Sequence, residues 1–347
     1  MLRTNSNLVG SFLKDHPLSF SVVSLLLSFA LGFFASNNGI IPHIVSSYDV
    51  AKPFREKTAS KYVSPLLFCS ESTPSLEDKD LTQKLSKLVD VRIQDGTIDN
   101  ASIYVRALTT GEWSGVNEDD KYSPASLMKV AVMLAYFKEA ESNPGLLSEV
   151  IHYGGIDKDA NSLENIKPEK SIQKDHQYTI DELIEYVIKY SDNNAALALN
   201  TLADKALFNE IYVDLGLPMP PTSSNPGTAD YMSVKLFSRF FRVFYNATYL
   251  NTEFSEKAIK LLLEAKFPGG IASGVPKGTE IASKFGERTI VSGDGAVTSR
   301  ELHDCGIVYA KDNPYLLCIM TKGGDLTKLS GVIREISTLV YKNIVSD

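Results

Sequence analysis

The stretch KYSPASLMKVAVMLAYF, residues 121–137, restricts the fold more than any other. From Leu127 to Phe137 it is apolar nearly all round, and a helix without a polar face is buried on all sides. The rest of the chain must therefore close around it. Yet the stretch holds a serine and, three residues on, a lysine. Ser123 is a good N-cap and Pro124 a good first helical residue. That register places Ser126 in the first turn, where the helix dipole favours negative charge developing on its oxygen. Lys129, at i+3, shares its face. A buried lysine has a lowered pKa and can accept a proton, and a serine needs such a base to become a nucleophile. On spacing alone, Lys129 could equally snorkel to the surface. The same S-x-x-K spacing recurs at Ser11/Lys14 and Ser171/Lys174, which fall in the N-terminal tail and in a polar loop.

The N-terminus sets the compartment. Residues 18–35, LSFSVVSLLLSFALGFFA, carry no charge. As a helix they span about 27 Å, against the roughly 30 Å of a bilayer core. Arg3 and Lys14 precede them and the next Lys or Arg is Lys52, so the positive-inside rule puts the N-terminus in the cytoplasm and the remainder outside. A cleaved signal peptide is the alternative; the run is long for a signal core, and Phe33 and Phe34 spoil a small-residue cleavage site. The expected plan is a cytoplasmic tail at 1–17, a transmembrane anchor at 18–36, a stalk at 37–75 that mixes Ser, Pro, Asn and scattered charges with little periodicity, and one folded, monomeric ectodomain at 76–347. The net charge of -7 gives no basic footprint for nucleic acid. Of the three cysteines, Cys69, Cys305 and Cys318, none forms a C-x-x-C; Cys305 and Cys318 lie on neighbouring strands, where a disulfide is possible. The five histidines are scattered without H-x-x-x-H spacing, so neither a metal nor another cofactor is expected.

Ser75 can cap a helix, with Asp78 at the capping-box position, and Leu81, Leu85, Leu88 and Val89 then recur at helical spacing. Residues 101–108 read as a strand, TTGE as a turn and WSGVN as the return strand. Thr179 with Glu182 makes a capping box for an amphipathic helix over 180–190. That helix ends at Ser191-Asp192-Asn193, with an alanine-rich helix next; 229–265 is again helical. EIASKFGE, HDCGIVYA and YLLCIM read as strands, the last two joined by the turn KDNP, and a helix from Leu326 to Val340 closes the chain. Strands from both ends, joined by hairpins, predict an α+β fold: an antiparallel sheet flanked by terminal helices, plus an all-helical lobe. A groove between sheet and lobe is a natural ligand site.

Ser126-x-x-Lys129, Ser191-Asp192-Asn193 and Lys284-Phe285-Gly286, in this order on helix, loop and strand, resemble the penicillin-recognising serine enzymes. The flanking TGEW, SPASLMK, YTIDELIEYVIKYSDNNAA and HDCGIVYA fit as well, and S-D-N is similar to the class A β-lactamases. The resemblance covers roughly 76–347 and implies a β-lactamase/transpeptidase-like fold. It also implies roles: Ser126 is acylated, Lys129 takes its proton and Ser191 passes a proton to the leaving nitrogen. Asn193 would hold the substrate's side-chain amide, and Lys284 would attract its carboxylate. Phe285 would line the substrate site, Gly286 would let the substrate backbone approach, and the backbone N–H groups of Ser126 and Glu287 would form the oxyanion hole. Asp192 and His303 are read as structural.

Two departures bear on the reaction. Class A enzymes activate the deacylating water with a glutamate in a long loop, whereas the corresponding DLGLPMPPTSSNPGTAD, 214–230, has none; Asp214 and Asp230 only flank it. Phe285 stands where threonine or serine is usual, and Glu287 follows the motif. The resemblance implies a membrane-anchored serine hydrolase with an extracytoplasmic domain, acting on β-lactams or D-Ala-D-Ala-like peptidoglycan peptides. A D,D-carboxypeptidase or transpeptidase is one alternative and a non-catalytic cell-wall or β-lactam binding module another. Glu287 as a water-activating base is a further possibility.

Overall fold

The computed structural model describes Ser28 and residues 54–56, 58–68, 76–162, 164–221, 229–311 and 313–346. The chain divides at residue 49 into two units; of the first, only Ser28 is described, in helical conformation. Among the described residues no helix is long and apolar enough to cross a membrane. The expected span at 18–36 lies, Ser28 apart, outside them.

The second unit begins earlier than the sequence predicts. β1 (Phe54–Arg55) pairs antiparallel with β2 (Leu66–Phe68) inside the expected stalk. This segment is fastened to the body: Val63 is buried, the Ser64 amide donates to the Tyr245 carbonyl (2.8 Å), and Arg55 Nη1 donates to Asn246 Oδ1 (2.9 Å). The stalk boundary at 75 is therefore corrected for 54–68. Such short strands leave no periodicity to read, and Asn246, to which Arg55 fastens them, lies 191 residues away along the chain.

α1 (Lys79–Gln94) is capped by Asp78, whose side chain accepts from the Leu81 amide, so the helix starts after the expected Ser75 cap. β3 (Asn100–Ala107) and β4 (Trp113–Val116) form the predicted hairpin. α2 (Lys129–Ala140) is the apolar helix, buried from Lys129 through Phe137. Its entry differs from expectation: Ser123 does not cap it, and a 3₁₀ turn over Ala125–Met128 leads into it. A small hairpin, β5 (Val150–Tyr153) with β6 (His176–Thr179), precedes α3 (Ile180–Lys189). There the Thr179/Glu182 capping box forms as predicted. α4 (Asn193–Leu202), α5 (Lys205–Asp214), α6 (Val234–Asn246) and α7 (Thr252–Glu264) complete the helical lobe. β7 (Glu280–Val291), β8 (Val297–Tyr309), β9 (Tyr315–Gly323) and α8 (Leu326–Ser346) follow.

The five-stranded sheet runs β4-β3-β9-β8-β7, antiparallel throughout as predicted. Its strands alternate faces. Ile103, Val105, Leu317 and Ile319 pack with Leu85 of α1 and Ile333 and Ile336 of α8. Tyr104, Cys318 and Met320 face the helical lobe with α2 and the phenylalanines of α6. Each such buried phenylalanine contributes about 1.5–3 kcal/mol relative to exposure. Cys305 and Cys318 stand opposite each other in register and are joined as a disulfide.

Candidate active site

Three elements converge where the helical lobe meets β7. Ser126 sits in the 3₁₀ turn after Ala125, whose φ of 47° is left-handed and rare for a residue with a Cβ. Gly286 explains how β7 approaches that turn: a Cβ there would lie 3.0 Å from the Leu127 amide nitrogen and 3.2 Å from that of Ser126. Behind the turn, buried His303 donates from Nε2 to the Ser123 carbonyl (3.0 Å). Burial pushes its pKa down to about 4, so it is a neutral strut, as the sequence reading held.

Lys129 is the hub. Its Nζ lies 3.0 Å from Ser126 Oγ, 3.0 Å from Ser191 Oγ, 2.5 Å from the Ser191 carbonyl and 2.6 Å from Asn193 Oδ1. Only 6% of Lys129 is exposed. Burial pushes its pKa down to about 8, against the opposing charges of Glu164 and Asp192. Ser191, at φ 59°, turns the corner between α3 and α4 in a left-handed conformation, strain of the kind that concentrates at functional sites. Its Oγ also receives Lys284 Nζ (2.9 Å). Lys284 is buried and donates as well to the Phe285 carbonyl (2.9 Å). Burial first, and the neighbouring Lys129 charge second, hold it well below the ordinary lysine range. Two amines thus meet at one hydroxyl.

Asp192 faces away from this cluster. It caps α4 and accepts from Asn161 Nδ2 (2.7 Å), Ser171 Oγ (3.0 Å) and the Ile172 amide (2.8 Å), which is the structural role predicted for it. Asn161 in turn receives the Asn193 amide (2.8 Å). The loop around Asn161 thereby reaches the site, and with it comes Glu164, which sequence reasoning missed. Asn193 Nδ2 donates to Glu164 Oε1 (2.7 Å) and to the Ala160 carbonyl (3.3 Å). The loop continues across to β7: the Ile166 amide and Asn165 Nδ2 donate to the carboxylate of buried Glu287 (2.5 and 2.9 Å). Burial raises the Glu287 pKa; those two bonds oppose the shift and the charge of Glu164 adds to it. Nothing in the polar text DANSLENIKPEK marks Glu164, because its place is set by bonds to residues some thirty positions on.

Ser126, Lys129, Asn193, Glu164, Glu287 and Arg288 line a cavity of about 650 Å³. Phe285, expected in the substrate site, lines a different one of about 600 Å³ with Phe267, Lys167, Lys170, Lys266 and Tyr190. Its ring stacks on Phe267 (4.4 Å between centroids) and lies 4.3 Å from Lys284 Nζ. A bulky ring beside a glycine strand turns to the face that can pack it. Among the described residues there is no cluster of three His, Cys, Asp or Glu that could hold a metal ion.

The model of the Beta-lactamase enzyme family matches residues 80–344. The chain belongs to that family. Among solved structures it is similar to a PBP-A variant captured as its acyl-enzyme with penicillin G, at 21% identity and a TM-score of 0.66 over 79% of this chain and 100% of that one. It is also similar to a class A β-lactamase from Bacteroides cellulosilyticus DSM 14838, at 18% identity and 0.62 over 77% and 99% of the two chains. The TLA-1 extended-spectrum β-lactamase matches at 16% identity and 0.64 over 76% and 99%. No curated protein matches the sequence significantly. These likenesses, all below 25% identity, carry the β-lactamase/transpeptidase-like fold.

Proposed function

We propose that this β-lactamase-family protein is a serine hydrolase working through an acyl-Ser126 intermediate. The observation that carries the reading is the 3.0 Å approach of Lys129 Nζ to Ser126 Oγ, with Lys129 held near pKa 8 by burial. Neutral Lys129 takes the Ser126 proton as Oγ attacks the carbonyl. Ser191, bonded to both amines, returns a proton to the leaving nitrogen. Lys284, engaged by Ser191 and the Phe285 carbonyl, acts by polarising Ser191. The Ser126 and Glu287 amides stabilise the oxyanion; losing one such donor typically costs about 2.7–4 kcal/mol. The substrate class is a β-lactam or a D-Ala-D-Ala-like cell-wall peptide.

Segment 214–230 lacks a glutamate, which favours a long-lived acyl-enzyme of the D,D-peptidase type over rapid β-lactam turnover. A chromogenic cephalosporin, followed by colour and by intact mass, separates the readings. A stable adduct on Ser126 supports the peptidase type and many turnovers a β-lactamase. A folded protein with neither is a binding module, and the proposal fails. The uncharged run at 18–35 supports a membrane-anchored form with the domain outside the cytoplasm. Protease added to intact cells should release the domain; protection in sealed cells would refute that placement.

A further inference from the structure

Asn193 offers two amide hydrogens, and the protein takes both, through the Ala160 carbonyl (3.3 Å) and Glu164 Oε1 (2.7 Å). In the acyl-Ser126 reading this amide is what would hold the carbonyl of an N-acylated substrate. Glu164 lines the same cavity as Ser126, so a carbonyl brought to Asn193 meets a carboxylate, acceptor against acceptor. The loop is not a loose flap. Asn161 ties it to Asp192 (2.7 Å) and to the Asn193 amide (2.8 Å). The Ala160 amide donates to Asn194 Oδ1 (2.9 Å), and Glu287 holds Asn165 and Ile166 from the opposite side. Arg288, which also lines the cavity, pairs with Asp230 (2.7 Å) and Glu301 (3.4 Å). What suits a fixed carboxylate at this position is a donor carrying positive charge.

We propose that Glu164 is a specificity-determining residue that makes the acyl subsite prefer donors with a free ammonium next to the scissile carbonyl over N-acylated ones. The inference rests on the acyl-Ser126 reading. With a thioester substrate, the Ser126 Oγ–carbon bond forms and the carbon–sulfur bond breaks. The Ser126 proton passes through Lys129 and Ser191 to the departing thiolate, and Glu164 pairs with the ammonium throughout. A charge-assisted bond of this kind favours the free amine roughly 10- to 100-fold.

The test uses the full chain with the thiobenzyl esters of D-alanine and of N-acetyl-D-alanine, reading thiol release and the mass of acyl-Ser126. The wild type should prefer the free amine by that factor. Glu164→Ala, and Glu164→Gln at nearly constant volume, should abolish the preference, with N-acetyl-D-alanine ester and penicillin G acylating faster than in wild type. Wild-type preference for the N-acetyl ester overturns the proposal. So does an unchanged ratio in both variants, or equal acceleration of both esters, which would make Glu164 a plain obstruction. If no probe acylates Ser126 in any folded variant, the acyl-Ser126 reading has failed and takes this inference with it. Acylation without selectivity sinks the inference alone.

Discussion

The cleft has two walls built on different principles. One carries Ser126, Lys129, Ser191 and Lys284; its polar atoms sit at the start of α2, just past the end of α3 and within β7, and bond chiefly to each other. Burial dominates there, and both amines are pushed down. The other wall is the 160–166 loop with Glu287. Its groups are carboxylates and amides held by side chains reaching between distant segments. The first wall is rigid because secondary structure and packing fix it. The second is rigid only as long as a few hydrogen bonds hold, so it can change substrate preference without disturbing the reacting groups.

The largest expected effect tests the first wall. Lys129→Ala should slow acylation by roughly 10²- to 10⁴-fold, read as the rate at which a penicillin adduct appears in the intact mass. Acylation at the wild-type rate would mean that the base is another group and that the comparison is drawn at the wrong residue.

A second measurement fixes the sign of the proton transfer. Lys129 is active when neutral and has a pKa of about 8. Acylation should therefore climb about tenfold per pH unit below about pH 8 and level off above it. A flat profile through that range would show that the amine does not titrate with the reaction.

The difference between the walls is also a difference in what can be read from sequence. Ser126-x-x-Lys129 is local: i and i+3 share a face whether the turn is 3₁₀ or α, so the wrong cap at Ser123 did no harm. Ser191-Asp192-Asn193 could be placed because Thr179/Glu182 and the alternation of Ile180, Leu183, Ile184 and Val187 fix where α3 ends. Lys284-Phe285-Gly286 could be placed because EIASKFGE reads as a strand ahead of the HDCGIVYA/YLLCIM hairpin, although the side to which Phe285 turns depends on Phe267, a neighbour no local pattern reveals. Glu164 has no such support. Its loop lacks hydrophobic periodicity, and its position follows from Asn161, Asp192 and Asn193. Segment 54–68 was hidden for the same reason.

Asn161 joins the two walls and is buried. Asn161→Ala would leave the Asn193 amide unpaired and remove one of the donors to Asp192. The expected cost is about 1–3 kcal/mol, a fall in melting temperature of roughly 2–4 °C per kcal/mol at this size. Calorimetry checks it. No loss of stability would mean that the loop reaches Glu164's position without this joint, and that the second wall is fixed some other way.

The smallest effect distinguishes how charge is handled on each wall. Burial raises the Glu287 pKa above its ordinary 4.5, while the Ile166 amide and Asn165 side chain stabilise the ionised form. A group whose folded pKa is raised binds its proton more tightly folded than unfolded. Its contribution is therefore fully present below pH 4.5 and is lost as pH rises through the folded value. Glu287→Gln removes that titration, so the variant should gain on wild type as pH rises above 4.5 through the folded value, read from urea midpoints at each pH. If the difference stays constant or runs the other way, the two N–H donors outweigh burial. The second wall would then favour its anion, whereas on the first wall burial lowers the pKa of both amines.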